Sequence, residues 1–375
     1  MNNTKKINLL ITVFDLHFGG ISNLILQTTP ALMKEMNIEV VYFGPRDEML
    51  QRYKNVGINV ERIPYNGPKD LLRAGRELGR FIKRKQIDIV STHLFIDKAI
   101  ASISKFHVKF KLLSTLHSAE NPYASGKFKI SINHRLEDLY HNYLVDKNFA
   151  VSEASLISWK KFRGFNHKNT TVLYSGIEKL PCDKKITQTF ENKVKIFVTA
   201  CRFTQEKGLE RLINLLNDLN NYNENWQFWI IGDGLLREKL EKLVISLNLE
   251  KKILFKGFQT ELCQFYKDAD FYINSSFHEA LSISIIEAMS IGMPVIGSKV
   301  GGIPEVIGHD VNGYLINFND VNEGLDILGK CINMSKEQYE IFSINSRGKF
   351  ESKFSIDKYV KNFTKEMKLL IKTTH

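Results

Sequence analysis

The chain has 375 residues, 43% of them hydrophobic and 25% charged, which is enough apolar material for two lobes at roughly 150 residues per domain. Its four cysteines, Cys182, Cys201, Cys263 and Cys331, stand far apart with no C-x-x-C pair, which argues against a zinc site or a disulfide framework and for reduced thiols in a cytosol. The net charge of +11 lies in the first half: residues 1–180 hold 27 Lys and Arg against 16 Asp and Glu, and the remainder holds 25 of each, so the first half is the one suited to an acidic partner.

Lys5 and Lys6 precede the apolar run Ile7–Phe14. The run stops at Asp15 and His17 without a small-residue cleavage site, so it reads as a buried first strand rather than a secretion signal. No stretch approaches the roughly 20 apolar residues of a spanning helix, and contact with a bilayer is expected to be peripheral. Further short apolar or β-branched runs follow at Ile38–Phe43, Asn59–Pro64, Ile87–Thr92, Lys111–His117, Asn148–Val151 and Thr171–Leu173, with helical stretches between them. Continuous apolar runs joined by helices indicate parallel strands covered on both faces, hence an α/β doubly wound domain over residues 1–178.

One of these helical stretches carries Lys69, Arg73, Arg76, Arg80, Lys83, Arg84 and Lys85, with Leu71, Leu72, Leu78, Phe81 and Ile82 at helical spacing. Such a basic amphipathic helix is either an ordinary solvated face over a core or a contact for an anionic membrane surface. No RNA- or DNA-reading motif with interleaved aromatics is present, and nucleic acid is not expected as a partner.

Residues 179–192 contain Pro181 and several lysines and lack a hydrophobic period, as a connector does. A second alternation then begins, with strands at Val194–Thr199, Trp226–Ile231, Ile253–Lys256, Phe271–Asn274, Pro294–Gly297 and Tyr314–Ile316. It makes residues 193–355 a second Rossmann-like domain. Residues 356–375 form a C-terminal helix, with Tyr359, Val360, Phe363, Met367, Leu370 and Ile371 on one face. Two such domains are expected to face a cleft, with ligands beyond the carboxyl ends of the strands.

Gly19 and Gly20 follow the first strand and precede a helix, where backbone N–H groups meet an anion with no side chain in the way. Arg202 and Lys207 sit in the turn after the first strand of the second domain, a bidentate cation and a point charge suited to a departing diphosphate. Glu279 leaves a later strand, and Glu287 follows about two turns into a helix that starts near Ser282. The amides of Leu281, Ser282, Ile283 and Ser284 are placed to meet phosphate. Asp268-Ala269-Asp270 imitates a metal-binding D-x-D, but it directly precedes a strand and reads as structural.

Taken in order, these motifs resemble the retaining glycosyltransferase family 4 of the GT-B fold. The resemblance runs through Gly19-Gly20, His117, Val151-Ser152, Arg202 and Lys207, Gly232-Asp233-Gly234, Gly257-Phe258, Glu279-x7-Glu287, Gly292-x-Pro294 and Gly301-Gly302-x-Pro304-Glu305. It implies that Glu279 lies near the transferred sugar, that Glu287 holds the nucleotide ribose, and that Arg202 and Lys207 bind the diphosphate. It further implies that the Gly19-Gly20 loop lies against donor and acceptor, and that His117 contacts the donor sugar. Gly232, Gly257 and Phe258 join Leu281, Ser282, Ile283 and Ser284 as donor-binding positions. Glu279, His117, Arg202 and Lys207 are the expected catalytic set. A C-terminal helix packed back on the first domain belongs to the same picture.

The resemblance also implies a nucleotide sugar, chiefly a UDP-sugar, as donor, no metal or other cofactor, and a lipid-linked glycan acceptor in capsule, exopolysaccharide or lipopolysaccharide synthesis. The expected location is cytoplasmic, at the inner face of the plasma membrane, with the basic helix and the loop Lys127-Phe128-Lys129 against anionic lipid. A nucleotide-sugar epimerase or a non-catalytic glycan- or partner-binding subunit would use the same scaffold. Three positions depart from the family pattern: Cys201 and Ala280 replace common glycines, and Ser175 a frequent asparagine. None removes a charge, although Ala280 narrows the space beside the sugar.

Overall fold

The computed structural model describes residues 6–117, 140–163, 169–184 and 194–372. The chain divides into two compact units, residues 1–177 with 356–375, and residues 178–355. Each is built on one parallel sheet. The first has seven strands, β1 (Asn8–Val13), β2 (Asn37–Tyr42), β3 (Asn59–Arg62), β4 (Ile89–Thr92), β5 (Lys111–Leu116), β6 (Lys147–Ala150) and β7 (Thr170–Val172), in the order β3-β2-β1-β4-β5-β6-β7. The second has six, β8 (Lys195–Ala200), β9 (Trp226–Ile231), β10 (Ile253–Gly257), β11 (Phe271–Asn274), β12 (Val295–Ser298) and β13 (Gly313–Ile316), in the order β10-β9-β8-β11-β12-β13. Every strand expected from the sequence is present within two residues of its expected ends.

Alternation along β1 shows why the first sheet is covered twice. Leu9, Ile11 and Val13 belong to one apolar cluster, which takes in Ile25 from the helix Gly20–Leu32 and Phe363, Met367 and Leu370 from the C-terminal helix Ile356–Lys372. Leu10 belongs to the other, with Leu78, Phe81 and Ile82 of the helix Leu71–Lys85. Each fully buried Leu, Ile or Phe is worth roughly 1.5–3 kcal/mol, so the C-terminal helix is held to the first unit by its apolar stripe. In the second unit Phe197, Phe228, Ile230, Phe271 and Ile296 pack on Leu212 and Leu216 of the helix Leu209–Asn220 and on Phe342 of the helix Lys336–Lys349.

One expectation is corrected. Cys182 and Cys263, expected to be free thiols, form a disulfide with Cα atoms 5.9 Å apart, and only Cys201 and Cys331 are free. The bonded residues are 81 positions apart in sequence, so no local spacing reveals the pair. The segment expected to be a connector is also fastened, over residues 179–184, to the second unit. Leu180 N–H donates to Ser290 Oγ at 3.1 Å, Asp183 pairs with Arg347 at 2.9 Å, and Lys184 Nζ donates to the Lys267 carbonyl at 3.1 Å.

The basic helix spans Leu71–Lys85 and buries Ala74, Leu78, Phe81 and Ile82. Its cations are not equivalent. Arg73 pairs with Asp70 and Glu77, Arg84 with Glu61, and Lys85 with Glu39. Lys69, Arg76, Arg80 and Lys83 are exposed. The loop Lys127-Phe128-Lys129 lies outside the described residues.

Candidate functional site

In a doubly wound sheet the two strands that flank the reversal of strand order send their chains to opposite faces, leaving a crevice at their carboxyl ends. In the second sheet those strands are β8 and β11. The turn after β8 carries Arg202 and Lys207, and the turn after β11 carries Glu279. Parallel pairing of β8 with β11 puts both turns on one edge.

Lys207 Nζ lies 2.8 Å from Glu279 Oε2, with both side chains more than four-fifths buried. Ser276 Oγ is 3.3 Å from the same oxygen. Backbone contacts fix the two turns to one another: Phe277 N–H donates to the Glu206 carbonyl at 2.8 Å, and Ser275 Oγ donates to the Lys207 carbonyl at 2.9 Å. Gly208, at φ +63°, lets them close, since a Cβ there would stand 2.2 Å from the Ser275 carbonyl oxygen. Arg202 is not brought to Glu279. Its guanidinium is 70% exposed and lies 3.6 Å from Glu206, a weak surface pair that an arriving anion can displace.

Beyond Glu279 the chain enters the helix Ile283–Ser290 through Ser282, whose backbone is extended and whose side chain makes no cap bond to the helix. Amides of the first turn therefore lack a side-chain acceptor, and the helix dipole favours an anion there. Leu281 and Ser282 are buried, and Ile283 and Ser284 half-buried. Glu287 stands only about one turn into this helix rather than two, since it lies four residues beyond the start at Ile283 and a turn takes about 3.6. Burial pushes its carboxyl up to about 7. Tyr266, which feels the Glu287 charge, is fully buried, and its hydroxyl has no hydrogen-bond partner among the described residues.

The other donor-binding candidates lie on the same edge. Gly232, after β9, donates its N–H to the carbonyl of Gly257, which ends β10, at 2.8 Å, and Phe258 is 57% exposed beside it. In the Gly301-Gly302 turn after β12, Gly302 N–H donates to the Glu279 carbonyl at 2.9 Å. Gly301 stands at φ +52°, and a Cβ on it would fall 1.9 Å from that same oxygen. Asp270 is on the opposite edge, at the amino end of β11. It is buried, accepts the Ile196 N–H at 2.7 Å and lies 3.8 Å from Lys184 Nζ, which accounts for its carboxylate without a metal.

Arg211 was not singled out from the sequence. Its guanidinium donates to the carbonyls of Ser275 at 2.6 Å and Ser276 at 2.8 Å, and it stacks 3.8 Å from the Phe277 ring centroid. It anchors the turn that carries Glu279. No local signal marks it, since at helical spacing Arg211 stands away from the apolar stripe of Leu209, Leu212, Ile213 and Leu216.

In the first unit the reversal lies between β1 and β4. Gly19 and Gly20 exit β1 and open the helix Gly20–Leu32. Gly19 is at φ −171°, ordinary extended backbone, so the close approach of His17 rather than backbone strain suits glycine here: a Cβ would stand 3.1 Å from His17 Nε2. His17 Nδ1 is buried with no hydrogen-bond partner among the described residues. His93 exits β4 and His117 exits β5. Their rings meet, His93 Nδ1 to His117 Nε2, at 2.9 Å. His93 was also missed, and its place at the first sheet's reversal is what would have marked it.

Residues 18–179 match the family described as Glycosyltransferase Family 4, and residues 183–349 match Glycosyl transferases group 1. An uncharacterized glycosyltransferase of Methanocaldococcus jannaschii is 26% identical over 358 residues, 94% of this chain and 95% of its own length. The amylovoran biosynthesis glycosyltransferase of Erwinia amylovora is 28% identical over 190 residues, 48% of this chain and 46% of its own. Among solved structures, the Anabaena protein HepE in complex with UDP superposes with a TM-score of 0.82 at 20% identity, covering 97% of this chain and 99% of that one. HepE has also been captured with UDP-glucose. With two parallel sheets of Rossmann type and both family matches in chain order, this chain belongs to the family 4 glycosyltransferases of the GT-B fold.

Proposed function

We propose that the protein is a retaining glycosyltransferase that moves a sugar from a nucleoside diphosphate donor, a UDP-sugar above others, to a lipid-linked glycan during capsule, exopolysaccharide or lipopolysaccharide synthesis. The observation that carries this reading is the Lys207–Glu279 pair, 2.8 Å apart at the reversal of the second sheet, just before an uncapped helix N-terminus. A diphosphate fits that arrangement. Its charge competes with Glu279 for Lys207, draws Arg202 from the weak pair with Glu206, and accepts from the first-turn amides. Glu287 takes the ribose hydroxyls in this reading, with Gly232, Gly257 and Phe258 along the nucleotide. HepE, with its UDP complex, supports the choice of base, and the amylovoran relative supports polysaccharide synthesis.

The reaction that suits these groups is front-face substitution. The bond from the anomeric carbon to the diphosphate breaks, the acceptor oxygen bonds on the same face, and the acceptor's proton passes to the departing phosphate oxygen. Lys207 and Arg202 stabilise the charge that grows on the leaving group. Glu279, its negative charge released from Lys207, stabilises the positive charge that grows on the sugar ring. In the first unit His117 meets the donor sugar and the Gly19-Gly20 loop lies against donor and acceptor. We assign no metal to the reaction, since Lys207, the recruited Arg202 and a helix end supply the charge. Product analysis by NMR tests the stereochemistry: an anomeric configuration opposite to the donor's would overturn the retaining assignment.

On the acceptor side, we place the reaction at the cytoplasmic face of a membrane. The cations that remain for anionic lipid are Lys69, Arg76, Arg80 and Lys83, the last three lining a cavity of about 230 Å³ with His107. No helix among the described residues is long and apolar enough to cross a membrane. Each cation near an anionic surface contributes about 1 kcal/mol, so sedimentation with phosphatidylglycerol vesicles is expected to be lost at high salt. Binding that ignores salt and lipid charge would contradict this placement.

A further inference from the structure

We propose that His93 is the positioning residue of His117: through its Nδ1 it holds Nε2 of the second ring, and so leaves Nδ1 of His117 to meet a sugar hydroxyl. The inference rests on the reading of His117 as a sugar-facing residue. His93 itself is fixed from behind. Its backbone N–H donates to Asp97 Oδ2 at 2.7 Å, and the N–H of Leu94 donates to Asp97 Oδ1 at 2.7 Å, so one buried carboxylate sets the turn that opens the helix Phe95–Ser104. The next residue, Lys98, is buried too, with Nζ 3.3 Å from His141 Nε2, and His141 Nδ1 is 2.7 Å from Asn148 Oδ1.

The two rings, 5.1 Å between centroids and tilted by 34°, act as a unit. Burial, with the Lys98 charge adding to it, lowers His93 to about 3 and drives His117 well below the ordinary range, so both are neutral when the enzyme works. Two neutral imidazoles that share one hydrogen bond must consist of one donor and one acceptor. The tautomer of His117, and hence what its Nδ1 offers, is therefore tied to His93. Among the described residues Nδ1 of His117 has no hydrogen-bond partner.

Conservative substitution of the full chain separates positioning from packing. His93→Asn puts an amide where Nδ1 stands and retains the bond, His93→Leu keeps volume without it, and His93→Gln moves the amide one carbon too far. The readout is kcat and KM for UDP release from whichever of UDP-glucose, UDP-galactose and UDP-N-acetylglucosamine best protects the wild-type protein against heat, with melting temperature measured in parallel. His93→Leu and His93→Gln are expected to lower kcat about 10-fold or more while KM moves less than about threefold, as misplaced groups do. His93→Asn is expected to recover to within about threefold of wild type. If His93→Leu does not fold, the Asn and Gln variants decide alone. Turnover within twofold of wild type in His93→Gln, alongside a large loss in His117→Ala, overturns the proposal and leaves the role of His117 standing. Wild-type turnover in His117→Ala instead removes the reading on which it rests.

Discussion

Replacing Gly301 with alanine perturbs the turn that holds Glu279 without touching a charge. A Cβ there would fall 1.9 Å from the Glu279 carbonyl oxygen and 2.9 Å from its carbonyl carbon. Both are backbone atoms, so no side-chain rotation relieves the contact, and one of the two turns must move by more than about 1 Å to restore an ordinary carbon–oxygen separation. At φ +52° alanine adds about 1 kcal/mol of left-handed strain. The Gly302 N–H bond to Glu279, 2.9 Å long, loses about 1 kcal/mol if the turns part, and overpacking adds about 1–3 kcal/mol. A total of about 3–5 kcal/mol follows, within the range of the severe single substitutions. Urea denaturation followed by tryptophan fluorescence reads it through Trp226 and Trp229, both in the second unit. Gly57→Ala, in the first unit and followed there through Trp159, is the control: that glycine has φ +78° and nothing among the described residues within 4 Å of its Cβ position, so it should cost about 1 kcal/mol. UDP release should fall at least about 10-fold in Gly301→Ala, because Glu279 and Lys207 shift together. Equal stability and activity in the two alanine variants would refute the claim that the Gly301 turn locates Glu279.

Glu287 gives a pH signature. Its carboxyl titrates at about 7 in the folded chain against an ordinary 4.5, so between those values the folded state holds a proton that the unfolded state has released. Stability must therefore fall as pH rises through that window. At about 1.4 kcal/mol per pH unit the effect is at most about 3 kcal/mol, and comparison with Glu287→Gln isolates it from Asp97, which shifts in the same direction. Identical slopes in the two proteins would contradict the burial. The disulfide Cys182–Cys263 closes a long loop within the second unit, and reducing it is expected to lower that unit's stability by up to about 4 kcal/mol, with Cys182→Ser matching the reduced wild type. An unchanged denaturation midpoint after reduction would show that the bridge does not constrain the chain. Transfer should persist in excess chelator, and activity lost to EDTA and recovered with a divalent cation would contradict the metal-free assignment.

The central strands were legible because parallel strands covered on both faces are apolar throughout, unlike the edge strand β3 with its exposed Asn59, Glu61 and Arg62. Trp226–Ile231 and Phe271–Asn274 match residue for residue. Site turns were legible for a related reason: in a doubly wound sheet a charged residue just after a strand has its place on the carboxyl edge already decided, as Lys207 and Glu279 show. What stayed hidden depends on long-range closure. The Cys182–Cys263 bond joins positions 81 residues apart, and the pairing of His93 with His117 requires knowing that β4 and β5 are neighbours. Arg211 looked like one more cation on a helix until Ser275 and Ser276 turned their carbonyls to it. The basic helix was legible only in part, since its sequence shows the cations but not the acidic partners that neutralise Arg73, Arg84 and Lys85.

The central claim is that Lys207 receives a diphosphate and stabilises its departure. The most direct measurement is UDP release from a UDP-sugar in the presence of membrane extract, comparing wild type with Lys207→Ala and Glu279→Gln, each checked for an unchanged melting temperature. Lys207→Ala is expected to lose about 100-fold or more in kcat, the scale for removing a charge-stabilising group from a transition state, and Glu279→Gln to fall at least about 10-fold. Wild-type turnover in Lys207→Ala, with the fold intact, would contradict the account.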